Sequence, residues 1–190
     1  MADDDAYALF TSAGTAFGGH IHAIVDGQWD SPTPCEAWNV RDLVNHVVVE
    51  DLWAVELFAG RTIAAVGADL NGDQLTADPM ARWDEAISGA IYAMRDPGAM
   101  SRIVHLSFGD FPGAFYAMQL FADHLVHAWD LATALGRDPG LDPMLVRTCR
   151  AWFATNEEGY RAAGVIGART EVADDADDLA HLLAAFGRTP

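Results

Sequence analysis

Residues 121–130 read Phe121-Ala-Asp-His-Leu-Val-His-Ala-Trp-Asp130, and they put ionisable groups into the otherwise apolar segment Gly113 to Leu135. At about 100° of rotation per residue in an α-helix, Asp123, His124, His127 and Asp130 fall within roughly one third of the circumference. Asp123 and His127 stand at i and i+4, one turn above the other on a single face. Such groups on a greasy helix cost free energy unless something satisfies them. A bound cation would do so. A further imidazole, His46, stands on a second apolar segment, Val40 to Phe58, and the reading turns on whether two helices bring it to the Asp123/His127 pair.

The remaining segments supply a bundle around that helix. Asp4 to Val25 has apolar residues at helical spacing, with Gly27 as its terminator. Trp29 to Trp38 is a proline-bearing connection without helical period, and Asn39 with Asp42 then forms a capping-box-like start for the His46 helix. Residues 60–77 read as loop. Asp78-Pro79 opens a third amphipathic helix that stops before Pro97. Ser101 to Phe108 alternates as a short extended strand, Gly109 to Gly113 turns the chain into the central helix, and Gly136 ends it. Asp142-Pro143 caps a fifth helix running to about Tyr160, and a short helical end spans Leu179 to Phe186. Four or five helices with modest connections give an all-α bundle.

A chain of 190 residues fits one domain over 1–190. It has no run of about 20 apolar residues, so no membrane span is expected, and an acidic start is the wrong sign for a secretory signal. The expected location is the cytoplasm. With 11 basic against 28 acidic residues and a net charge of −17, neither nucleic acid nor an anionic membrane is a fitting partner. Every basic residue is arginine, a bias that points to a GC-rich bacterial genome. Cys35 and Cys149 lack CxxC spacing, which excludes a zinc ribbon or a dithiol motif.

His46, Asp123 and His127 together are two imidazoles and a carboxylate, a three-ligand set that leaves coordination positions open as catalytic zinc and non-heme iron sites do. Glu50 lies one turn from His46 on the same stripe. Asp130 is placed to orient an imidazole nitrogen. His124 points about 100° away from Asp123 and reads as a packing or outer residue, although a shift of helix register would give the all-imidazole set His46, His124 and His127. Cys35 reads as a small packing residue, and His20 and His22, two apart, cannot share a helical site.

Three stretches carry a family resemblance: Trp29-Asp-Ser-Pro-Thr-Pro-Cys35 with Trp38-Asn-Val-Arg-Asp-Leu-Val-Asn-His-Val-Val48, then Phe121 to Gly136, then Ala176-Asp-Asp-Leu-Ala-His-Leu-Leu-Ala-Ala-Phe-Gly-Arg188. In order and spacing they resemble the mycothiol-dependent maleylpyruvate isomerase N-terminal family, within the DinB-like, or bacillithiol/mycothiol transferase, superfamily of actinobacterial metal-binding proteins. The resemblance implies a DinB-like four-helix bundle holding a divalent metal ion on His46, Asp123 and His127. Asp123 departs from the longer Glu or the His of better-known relatives and leaves zinc, nickel or iron open, zinc first. Mycothiol is the implied cosubstrate, and an electrophile the second small-molecule partner, for an S-transferase or an isomerase with Glu50 as proton carrier. The alternative is a non-catalytic metal-binding stress or regulatory module. A homodimer is compatible with either.

Overall fold

A computed structural model describes residues 3–190, in the order α1 (Asp3–Ile21), α2 (Val40–Phe58), α3 (Ile63–Val66), α4 (Pro79–Met94), β1 (Ile103–Leu106), β2 (Gly109–Pro112), α5 (Gly113–Ala134), α6 (Pro143–Ala154), α7 (Glu157–Ala162) and α8 (Asp178–Ala185). α1 packs on α5, α5 on α2, α2 on α4, and α4 back on α1, which closes a four-helix ring. The fold is all-α and DinB-like, with one small sheet. None of the described helices is long and apolar enough to cross a membrane.

α5 is the inner helix because it is apolar on nearly every face, a pattern that is stable only when the helix is surrounded. Tyr116, Leu120, Phe121, Leu125 and Leu131 are all buried along it. α2 shows one apolar stripe instead, with Leu43, Val44, Val47, Val48, Ala54 and Leu57 buried. Its start is fixed locally. The Asn39 side chain accepts from the Asp42 amide at 2.9 Å, and the Asp42 carboxylate accepts from the Asn39 amide at 3.1 Å. Both halves of a capping box are therefore present, which sets where along the bundle His46 falls.

α5 begins without a side-chain cap. Its first amides are satisfied by the preceding chain instead: Gly113 N–H donates to the Arg102 carbonyl and Ala114 N–H to the Met100 carbonyl, each at 2.8 Å. Only glycine fits at position 113, because a Cβ there would stand 2.2 Å from the Ala99 carbonyl oxygen. The hairpin that delivers these carbonyls pairs β1 and β2 antiparallel, from Ile103↔Pro112 to Leu106↔Gly109.

Three local readings are corrected. Gly109 to Pro112 is the second strand of that hairpin rather than a turn, since an extended partner at β1 uses its backbone groups. Residues 60–77 contain α3, a single turn started by Thr62, whose hydroxyl accepts from Ala65 N–H. The helix expected from Asp142 to about Tyr160 breaks into α6 and α7. Thr155 Oγ and Asn156 Nδ2 both donate to the Trp152 carbonyl at 2.8 Å, so side chains take the acceptor that a continuing helix would use.

Candidate metal centre

Capping fixes α2 axially, and packing of α2 on α5 then brings together three of the sequence-selected side chains. His46 Nε2 lies 3.3 Å from Asp123 Oδ1, His127 Nε2 lies 3.4 Å from the same oxygen, and the two imidazole centroids are 5.0 Å apart. These separations are long for charge-assisted hydrogen bonds, which run about 2.7–2.9 Å. They match the edges of a tetrahedron with bonds of 2.0–2.1 Å, which are about 3.3–3.4 Å long. The second Asp123 oxygen, Oδ2, is buried without a hydrogen-bond partner, a costly state for a carboxylate that nothing else balances. The donor set therefore fits a divalent cation of the zinc type.

His127 is held for that role from behind. Its Nδ1 lies 2.9 Å from Asp130 Oδ2, and because an ionised carboxylate only accepts, Nδ1 carries the proton and Nε2 turns toward Asp123 and His46. Asp130 is fully buried and in turn accepts from Arg188 Nε at 3.2 Å and Arg188 Nη2 at 2.8 Å. Burial pushes the Asp130 carboxyl up, but His127 and Arg188 outweigh that and hold it below the usual carboxylate range. Trp38 flanks the other side, its ring 4.9 Å from His46 and 6.0 Å from His127.

Cys35 joins the same network, which corrects its reading as a bystander. Its thiol donates to Asp130 Oδ2 at 3.3 Å, and Arg188 Nη2 donates to its sulfur at 3.2 Å. Cys35, His127 and Asp130 form a second group with ligand-like spacing. A cation there would sit against the Arg188 guanidinium, so His46, Asp123 and His127 form the better site. The part played by Arg188 has no spacing signal to mark it, because its contact with Cys35 spans 153 residues.

His124 faces elsewhere. Its Nδ1 donates to the Leu120 carbonyl at 2.8 Å and its Nε2 meets Asp51 at 3.2 Å, both side chains fully buried, while Phe10 meets its ring edge-on at 5.0 Å. The all-imidazole alternative is therefore excluded by register. His20 and His22 also part company, to the Pro139 carbonyl and to Asp84.

The electrostatics of the centre follow from charge and burial. Burial pushes the Asp123 carboxyl up, yet His127 and then His46 hold it well below the usual range. Burial pushes His127 down, and the Asp123 carboxylate more than reverses this, raising it well above 6.5. Glu50, one turn beyond His46, moves the other way: burial and then the Asp123 carboxylate raise it to about 7. Glu50 and Asp123 border a cavity of about 160 Å³ whose remaining wall comes mainly from α6, α7 and the segment after it, including Trp152, Tyr160 and Val165. On its other side His46 borders an open groove lined by Trp38, Asp42, Asn45 and Asn71.

Comparison with known proteins gives the family of the chain. Residues 10–132 match the family model described as mycothiol maleylpyruvate isomerase N-terminal domain, a span that contains His46, Glu50, Asp123, His127 and Asp130. Two proteins of Mycobacterium tuberculosis, from strains CDC 1551 / Oshkosh and ATCC 25618 / H37Rv and each named an uncharacterized protein, are 33% identical to the chain over 130 residues. The aligned region covers 68% of this chain and 67% of each relative. No solved structure matches.

Proposed function

The chain belongs to the mycothiol maleylpyruvate isomerase N-terminal domain family, and from that premise we propose that it is a divalent-metal-dependent enzyme that transfers a low-molecular-weight thiol, mycothiol, to an electrophile. The observation that carries the reading is the pair of 3.3 and 3.4 Å separations around Asp123 Oδ1. His46, Asp123 and His127 would hold the ion, zinc first. When bound, it supplies Lewis acidity toward a thiol sulfur, lowering the sulfur's pKa so that thiolate is available near neutral pH.

The protein's own residues do the rest. Asp130 fixes the His127 tautomer and is itself fixed by Arg188. Glu50 lines the same cavity as His46 and Asp123, and it serves as the general base. It takes the S–H proton and releases it to water. The sulfur lone pair forms the new S–C bond, and the leaving group departs with the electron pair of the bond it breaks. Nothing is oxidised or reduced. The open groove beside Asp42 and Asn45 offers polar groups to the hydroxyl-rich body of the thiol.

Zinc-loaded protein mixed with mycothiol and an electrophile should consume thiol in proportion to enzyme, and His127→Ala should abolish turnover. Zinc retained at one equivalent with neither turnover nor calorimetric affinity for the thiol would favour a metal-binding regulatory module instead.

A further inference from the structure

Two hollows meet at Glu50. The first, of about 160 Å³, is bordered by His46, Glu50 and Asp123. The second, of about 290 Å³, shares Glu50, Gln119 and Val165 with it and then leaves the centre behind, so that neither His46 nor Asp123 lines it. Its wall is Trp53, Leu57, Ile63, Leu106, Phe108 and Tyr116. α2 and α5 supply part of that wall. The start of α3 is pinned to β1 by the Thr62↔His105 bridge, which brings Ile63 and Leu106 into the rest of it.

Little in the second hollow asks for a polar ligand. The Tyr116 phenol stays neutral, because burial and then the Glu50, Asp51 and Asp123 carboxylates raise it well above its usual range. Gln119 Oε1 is already engaged, accepting from Tyr160 Oη at 3.0 Å. Apolar surface, by contrast, is left open. Trp53, Leu106 and Phe108 are only half-buried, and Ile63 and Val165 are among the few large apolar side chains left exposed, at 37% and 52%. Exposed apolar residues scattered singly are ordinary, but several around one concavity mark a binding surface.

Resting on the thiol-transfer reading, we propose that the second hollow takes an apolar tail of the electrophile, whose reacting head lies in the first hollow beside Glu50. The substrate class is then an electrophile carrying a medium-length alkyl chain, such as a 2-alkenal. With that class the S–C bond forms at carbon 3 and the π pair of the double bond moves to carbon 2. Carbon 2 takes a proton from water in place of the one the sulfur gives up. No group leaves, and nothing is oxidised or reduced.

Binding to metal-free protein tests the hollow apart from the chemistry. 2-Buten-1-ol and 2-octen-1-ol do not react with thiols and differ by four methylenes, each worth about fourfold in affinity when fully buried. By calorimetry the longer alcohol should bind about tenfold or more tighter. Ile63→Trp and Ser107→Trp both place bulk in the second hollow from exposed positions, where substitutions are well tolerated. At least one of them should remove most of the gain while leaving 2-buten-1-ol binding unchanged. A smaller gain in the unaltered protein, or a gain that both variants keep, overturns the proposal. Zinc-loaded protein with mycothiol then separates the two readings. 2-Octenal should exceed crotonaldehyde in kcat/KM by about tenfold or more, each taken relative to its uncatalysed addition. Equal turnover of the two, or turnover of other electrophiles alone, would sink the substrate class but keep thiol transfer. Length-dependent binding without turnover of any electrophile would keep the hollow and sink thiol transfer.

Discussion

Glu50→Gln should make the metal-free protein more stable, and the gain should depend on pH. Glu50 is half-buried, and burial with the nearby Asp123 carboxylate raises it from 4.5 to about 7. A carboxyl raised on folding favours the folded state only while protonated, so its contribution is lost as pH climbs from about 4.5 through about 7. At 1.36 kcal/mol per pH unit the penalty reaches about 3 kcal/mol at pH 8 as a ceiling, and stays below about 1 kcal/mol at pH 5. Glutamine keeps the shape and carries no charge, so it escapes the penalty. Urea unfolding in the presence of a chelator should show the variant ahead by up to about 3 kcal/mol at pH 8 and nearly level at pH 5. Added zinc should narrow the gap, because positive charge nearby favours the ionised wild-type carboxylate. Thiol transfer should meanwhile fall, the usual cost of stabilising a functional group's site. A variant equal to or below wild type at pH 8, or ahead by the same margin at both pH values, would show that Glu50 is an ordinary solvated carboxylate and remove it from the proposed mechanism.

Three further outcomes bear on the centre. Asp123→Asn removes the negative charge that faces both imidazoles, and zinc affinity measured by competition with a chromophoric chelator should drop by about 10–100-fold or more. His124→Ala should leave zinc affinity nearly unchanged while costing about 3–5 kcal/mol of stability, because it leaves Asp51 buried and unpaired; the reverse pattern would put the ion on the other face of α5. Arg188→Ala strips Asp130 of its cation, so cobalt-substituted protein should show an altered visible spectrum and about 10-fold or greater loss of metal affinity. An unchanged spectrum and affinity would mean that Arg188 serves stability alone.

What could be read from the sequence was what is encoded locally. Asn39 and Asp42 announce the start of α2 because both capping bonds span three residues, and α5 declares itself by having apolar residues all round. Those two elements carry His46 and the Asp123/His127 pair, so the core of the centre followed from spacing and from how helices pack. The break after Ala154 was not legible, since Thr155 and Asn156 are compatible with a helix and end one here by competing for a single carbonyl. The pairing of Cys35 with Arg188, 153 residues apart, has no local signature at all. The aromatic wall of the cavity was hidden for the same reason: Trp152 and Tyr160 look like the apolar face of one helix until the break after α6 turns them toward Glu50.

Asp123 and Glu50 show how one charge assigns two roles. Both are half-buried carboxyls on the same cavity, and burial alone would raise each of them. Asp123 escapes because His127 and His46 stand against Oδ1, and the negative charge it thereby keeps is the second cause, after burial, of the rise at Glu50. Two titratable groups pushed apart in this way are consistent with the proposed roles of a permanent anion and a proton carrier. The shorter reach of aspartate belongs to the same arrangement. It keeps the charge close to the backbone of α5, between two imidazoles that Trp38 and Asp130 hold in place, and leaves the cavity side to Glu50. In the metal-free protein the aspartate thus both faces the two imidazoles and helps to raise the carboxyl of its neighbour.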